Sequence, residues 1–157
     1  MTQGFDAKLA APFAVIGVRV AGEKLTELVY LPREAAPLAP QTPFAREVWR
    51  QLVAYLDDPH FCFDLPVEPR GTEFQRRVWN VVCAIACGTT LSYQQVARRA
   101  GSAPRAVGMA CAANRLPLVI PCHRVVGARD IGGFMHSRRG QGIAVKRWLL
   151  AHEGVVT

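Results

Sequence analysis

The sequence predicts an α+β chain in two parts: a small strand-rich N-terminal domain over residues 1–68 with one helix, then a helical C-terminal domain over 69–157 containing a helix-turn-helix. Three observations carry this prediction. Apolar residues alternate in strand fashion over 14–31. Beyond residue 70, capping residues are followed by apolar residues at helical spacing. The charge balance also changes near 66–71. Residues 1–66 hold six basic and eight acidic side chains, a net of −2, and residues 67–157 hold thirteen and four, a net of +9; together they make the +7 of the whole chain.

Length and composition bound the answer. A chain of 157 residues is one domain or two small ones. Half the residues are apolar and a fifth charged, which excludes a disordered chain. No apolar run approaches the ~18 residues that span a bilayer. The apolar stretch from Leu9 to Val18 follows Asp6, is interrupted by Pro12 and has no cleavage pattern after it. It reads as mature protein, and the expected location is cytoplasmic. The basic second part suits a polyanion, although an Arg-rich composition bias would give the same numbers.

In chain order, Val15, Ile16, Val18 and Val20 alternate around Gly17 and Arg19, Gly22-Glu23-Lys24 turns, and Leu25 to Leu31 form a second strand. Prolines 32, 37, 40 and 43 make a loop. Thr42-Pro43 opens a helix with Phe44, Val48, Leu52, Tyr55 and Leu56 on one face, stopped at Pro59. Residues 60–70 read as a strand running into a linker.

The second part begins with a Thr72/Gln75 capping box and Phe74, Val78, Val81, Val82 and Ile85 at helical spacing, with Gly88 as C-cap. Ser92/Gln95 starts a short helix ending at Gly101, and a third helix runs from about Ser102 or Ala103 to Ala113. Two short helices across a glycine turn make a helix-turn-helix. Its second helix is bare: apart from Arg105 it carries small or apolar side chains, where a sequence reader offers Arg, Lys, Asn or Gln. Either it binds DNA with little sequence preference, or its small residues pack against other helices. The last helix, Ile143 to Glu153, has Val145, Trp148, Leu149 and His152 on one face.

Five cysteines, an odd count, argue for reduced thiols. Cys83 and Cys87 read as small buried hydrophobes within the helical run, and with no histidine pair at ligand spacing no metal is expected. Cys122 stands in Pro121-Cys122-His123-Arg124-Val125. A thiolate nucleophile needs a base or positive neighbour. Residues adjacent in an extended chain point apart, so water would relay the Cys122 proton to His123, with Glu153 orienting the imidazole.

Phe74-Gln75, Val78-Trp79, Ser92-Tyr93, Arg105-Ala106-Val107-Gly108, Asn114, Pro117, Pro121-Cys122-His123-Arg124-Val125-Val126 and Trp148-Leu149-Leu150-Ala151-His152-Glu153-Gly154 occur in that order. Together they resemble the O6-alkylguanine-DNA alkyltransferases, or methylated-DNA–protein-cysteine methyltransferases. The match is strong over 70–157 and one of layout only over 1–66.

The resemblance implies a winged helix-turn-helix that enters the minor groove and flips the damaged guanine into a pocket. By the same resemblance Arg105 fills the vacated stack, and Ala106, Gly108, Ser92, Arg115 and Arg124 complete the DNA-binding set. Tyr93 promotes flipping and donates to guanine N3, and Tyr93, Val125, Phe134 and Pro117 line the pocket. Asn114 ties the turn carrying Cys122, and main-chain groups near Cys122 and Val125 read the exocyclic amine. Cys122 takes the alkyl group in a single turnover, with His123 and Glu153 behind it.

The implied partner is double-stranded DNA bearing O6-alkylguanine, with no cofactor, no metal, no membrane and no obligate protein partner, so a monomer. The alternative is a non-catalytic protein that binds alkylated DNA and flags lesions; Cys122 argues against it. A transcription factor is disfavoured by the bare helix, and a thiol hydrolase by the lack of any sign of an oxyanion hole. The chain departs from the family pattern at Gly132 to Gly142, a longer loop in which Phe134 stands for the usual tyrosine. Arg138 and Arg139 there reach phosphate or only solvent.

Overall fold

A computed structural model describes residues 4–132 and 141–156. It divides into two compact units, Met1–Pro69 and Arg70–Thr157.

In the first unit, strands β1 (Ala7–Ala10), β2 (Val15–Ala21) and β3 (Lys24–Leu31) form an antiparallel sheet in the order β1-β2-β3, with Ala7 opposite Val18 and Ile16 opposite Tyr30. Central β2 is buried on both faces at Val15, Ile16 and Val18. A Cβ on Gly17 would stand 2.6 Å from the Phe5 ring, so that aromatic cover requires glycine there. β1 was not expected: Ala-Lys-Leu-Ala is too short to show a period. Helix α1 (Pro43–Asp57) packs on this sheet, with the Thr42 hydroxyl accepting from Ala45 N at 3.2 Å. Its buried side is Ala45, Val48, Leu52 and Tyr55, while Phe44 and Leu56 lie at the margin.

The strand expected within 60–70 does not form. Buried Gln51 satisfies that backbone instead, donating to the Asp64 carbonyl at 2.9 Å and accepting from Asp64 N at 2.8 Å. Only Val67 makes a lone bridge, to Leu25.

The second unit contains α2 (Glu73–Cys83), β4 (Leu91–Ser92), α3 (Tyr93–Ala100), α4 (Pro104–Ala112), a 3₁₀ turn (Cys122–Arg124), β5 (Val125–Val126) and α5 (Gln141–His152). Both capping boxes are complete: each hydroxyl accepts from the amide three residues on, and each glutamine side chain accepts from the cap amide. Gly101 ends α3 at φ 68°, a left-handed geometry that costs glycine little. α2 holds the helix-turn-helix from behind, with Trp79 Nε1 donating to the Ala110 carbonyl and Arg77 Nε to the Ala100 carbonyl, each at 2.9 Å.

Helix α2 stops earlier than its apolar spacing suggested. Ala84 is the C-cap, and Gly88 lies in the turn beyond at φ 85°. Cys83 is therefore exposed and Cys87 half-buried, not the buried pair a longer helix would give. No described helix is long and apolar enough to cross a membrane.

Candidate active site

The second unit brings Cys122, His123, Glu153, Asn114 and Tyr93 together. The chain reaches Cys122 through a tight turn in which Leu118 is buried at φ 73°. Asn114 spans this turn. Its Nδ2 donates to the Ile120 carbonyl at 2.9 Å and to Cys122 Sγ at 3.4 Å, and its Oδ1 accepts from Leu116 N at 2.8 Å. One amide therefore fixes both the backbone before the cysteine and the sulfur itself.

Cys122 opens a 3₁₀ turn, not an extended segment, so the expected divergence of neighbouring side chains does not apply. Both Cys122 and His123 are buried. His123 Nε2 lies 2.8 Å from Glu153 Oε2. Its Nδ1, also buried, makes no hydrogen bond with the described residues. When Nε2–H donates to the carboxylate, Nδ1 carries the free lone pair and is the basic nitrogen. Burial holds the His123 pKa below the ordinary 6.5, against the pull of Glu153, so the imidazole is neutral at pH 7.

Arg124 departs from the expected DNA contact. Its Nε donates to Glu153 Oε1 at 2.8 Å, its Nη2 to Glu153 Oε2 at 3.1 Å and its Nη1 to the Ile85 carbonyl at 2.8 Å. Its side chain is only 13% exposed, because Glu153 is buried and needs a charged partner. The guanidinium serves the interior.

Tyr93 reaches the site through topology. β4 pairs parallel with β5, Leu91 opposite Val125 and Ser92 opposite Val126, which sets the first residue of α3 beside the strand after Cys122. A Cβ on Gly132, at φ 73°, would come within 2.8 Å of the Tyr93 ring, so only a glycine backbone fits against that face. Pro117 is half-buried and Val125 fully buried. Phe134 lies outside the described residues, as do Arg138 and Arg139.

Two residues at the site escaped sequence reasoning. Lys146 is fully buried; its Nζ donates to the Val125 carbonyl at 2.7 Å and stands 5.7 Å from the Tyr93 ring centroid. Burial draws its pKa from 10.5 to about 8. The carbonyl it holds keeps one lone pair for another donor. Lys146 stands three residues from both Ile143 and Leu149, so the apolar stripe of α5 contained the signal. The second residue is Cys111, half-buried on α4, which bears on the acidity of Cys122. Interaction with Cys111, together with burial, pushes Cys122 well above the ordinary thiol value; Asn114 works the other way. Interaction with Cys122 lowers Cys111.

On the outer face of α4, Arg105 is exposed, Met109 is 68% exposed, and a Cβ on Gly108 would meet nothing. Ala106 is half-buried. Arg115 is exposed just beyond α4, while the Ser92 hydroxyl caps α3 by accepting from Gln95 N at 3.0 Å. This face is smooth, with one long cation at its start.

The family model described as 6-O-methylguanine DNA methyltransferase, DNA binding domain, matches residues 73–155. The chain is 36% identical over 146 residues to a methylated-DNA–protein-cysteine methyltransferase of Methanosarcina mazei, covering 87% of this chain and 89% of that one. It is 46% identical over 102 residues to the regulatory protein Ada of Salmonella typhimurium, covering 62% of this chain but only 29% of that longer protein. The crystal structure of the Mycobacterium tuberculosis methyltransferase OGT in complex with DNA superposes with a TM-score of 0.78 at 33% identity, covering 93% of this chain and 90% of that one. With more than half its length matched by the family model and a full-length relative above 30% identity, this chain belongs to the 6-O-methylguanine DNA methyltransferase family.

Proposed function

We propose that the chain reverses alkylation damage in duplex DNA by taking the alkyl group from O6 of a flipped guanine onto Cys122 Sγ, once per chain. The observation that supports this most is the buried line His123–Glu153–Arg124 standing behind a buried cysteine at the foot of a helix-turn-helix. A nucleophile, a neutral base and a carboxylate that stabilises the base once protonated are the parts such a transfer needs.

The reaction is a direct displacement. Water carries the Cys122 proton to His123 Nδ1, and Glu153 stabilises the imidazolium. The thiolate attacks the alkyl carbon, the carbon–O6 bond breaks, and its electron pair stays with guanine. Tyr93, half-buried beside β5, donates to guanine N3 as that charge develops. The Val125 carbonyl accepts from the exocyclic amine. The product is a thioether, a poor leaving group, so the chain is consumed. DNA supplies the alkyl group and one chain receives it, so the chain acts as a monomer without cofactor, metal or protein partner. At neutral pH His123 is already in its basic form; as pH falls below 6.5 toward its lowered pKa, transfer slows.

Intact mass after incubation with a duplex carrying one O6-methylguanine tests the reading. The expected result is the gain of one methyl group on Cys122 and a plateau of one methyl per chain with damaged DNA in excess. A plateau well above one, or the label on another cysteine, would falsify it.

Arg105, exposed at the start of α4, is proposed to occupy the space the flipped base leaves. Arg105→Ala is expected to slow repair of duplex roughly tenfold or more, since unstacking costs a few kcal/mol and each ~1.4 kcal/mol is a decade. Removal of the alkyl group from the free base should change far less. Equal losses on both substrates would place Arg105 in the pocket instead.

A further inference from the structure

Lys146 stands where the pattern of α5 calls for an apolar side chain. It lies three residues from both Ile143 and Leu149, which are buried, and is itself fully enclosed. Burying an ammonium is costly unless it is hydrogen-bonded, so a lysine kept there answers to a specific partner. That partner is the Val125 carbonyl, which accepts from Nζ at 2.7 Å. Leu91 faces Val125 across the β4–β5 pair, and the next amide on β4, Ser92 N, donates to Gln95 Oε1 at 2.8 Å, so the ladder does not take it for this carbonyl. A carbonyl oxygen has two lone pairs, and Lys146 occupies one. The alkyl-transfer mechanism uses the Val125 carbonyl to read guanine and leaves the lysine without a task.

We propose, on the reading that Cys122 takes its alkyl group from guanine, that Lys146 is a positioning residue for base choice: it fixes the Val125 carbonyl so that the second lone pair meets the exocyclic amine, and thereby favours O6-alkylguanine over 6-alkoxypurines that lack the amine. A charged donor holds a carbonyl more firmly than a neutral one. An acceptor aimed beforehand needs no ordering when the base arrives. A base with the amine completes the pair of hydrogen bonds on that oxygen. A base with hydrogen in its place leaves a buried lone pair without a donor, and such a site rejects it. Nζ also stands 5.7 Å from the Tyr93 ring centroid, so one ammonium borders both groups that meet the base.

The probes are two duplexes identical but for one base, O6-methylguanine or O6-methylhypoxanthine, the latter without the exocyclic amine. Single-turnover transfer is timed with the full chain and with Lys146→Met, which keeps the length of the stem and has no donor. The wild type is expected to favour methylguanine about tenfold, the worth of one hydrogen bond at ~1.4 kcal/mol per decade. In Lys146→Met that preference disappears, and Lys146→Arg, which keeps charge and donor, retains part of it. Support for the fold, for the Tyr93 hydroxyl or for the Cys122 thiolate would act on both bases alike. A preference unchanged in Lys146→Met therefore overturns the proposal, as does a wild type with no preference. No transfer from either base would instead refute the alkyl-transfer reading, and this role for Lys146 with it. Where neither lysine variant binds undamaged duplex as the parent does, Cys122→Ala isotope-labelled at its lysine nitrogens decides by nuclear magnetic resonance. The Lys146 ammonium signal should then move with the methylguanine duplex and stay with the methylhypoxanthine one; equal shifts overturn the proposal.

Discussion

Cys122→Ala is expected to transfer no alkyl group at all while binding DNA as the parent does. The sulfur forms the only new bond in the reaction, so nothing replaces it, whereas the helix-turn-helix and Arg105 stand outside the substitution. Cys122→Ser should be as inert, because a hydroxyl held by Asn114 is far less acidic and less nucleophilic than the thiol. The measurement pairs a gel-shift titration on undamaged duplex with transfer from labelled O6-methylguanine DNA, followed to its plateau. Residual transfer in the alanine variant, at any rate, would move the acceptor to another residue. Loss of DNA binding would mean that the cysteine supports the fold of α4.

The second large effect concerns Glu153. Its carboxylate is fully buried and receives His123 and two nitrogens of Arg124. Removing one partner of a buried charged pair typically costs about 3–5 kcal/mol, because the other charge is left in the interior. Glu153→Ala is therefore expected to lose roughly that much stability in urea denaturation, and transfer should slow as the imidazolium loses its stabiliser. Glu153→Gln keeps the shape and part of the hydrogen bonding, so it should fall between. A loss below about 1 kcal/mol for the alanine variant would show that Arg124 swings out to solvent and that the pair is not essential to this core. His123→Ala separates the two roles, slowing transfer with a smaller loss of stability.

Local chemistry was legible in the sequence, and tertiary placement was not. The capping boxes at Thr72/Gln75 and Ser92/Gln95, and the glycine stop at Gly101, are decided within four residues, and each formed as read. The misread positions depend on something distant. Residues 60–66 form no strand, and at Asp64 the side chain of Gln51 supplies the hydrogen bonds a neighbouring strand would give. Cys83 is exposed although the apolar spacing continues past the point where α2 ends. Arg124, in a basic half of the chain, turned inward because a buried carboxylate from α5 meets it, and no local pattern announces that pairing. The line through His123 to Glu153 was readable by chemical role. The buried Lys146 was not, since its place beside the Val125 carbonyl is set by the packing of α5.

That buried carboxylate also bears on how the molecule is made. Chains emerge from synthesis N-terminus first. Until Glu153 is in place, Arg124 lacks the carboxylate it pairs with in the core, and His123 lacks the hydrogen-bond partner of its Nε2. The group that closes this charged pair is the same one that stands behind the proposed acceptor. Assembly and the proposed reactivity thus coincide: Cys122 is made before the carboxylate that stands behind its neighbouring histidine, and the fold that joins them also encloses the sulfur.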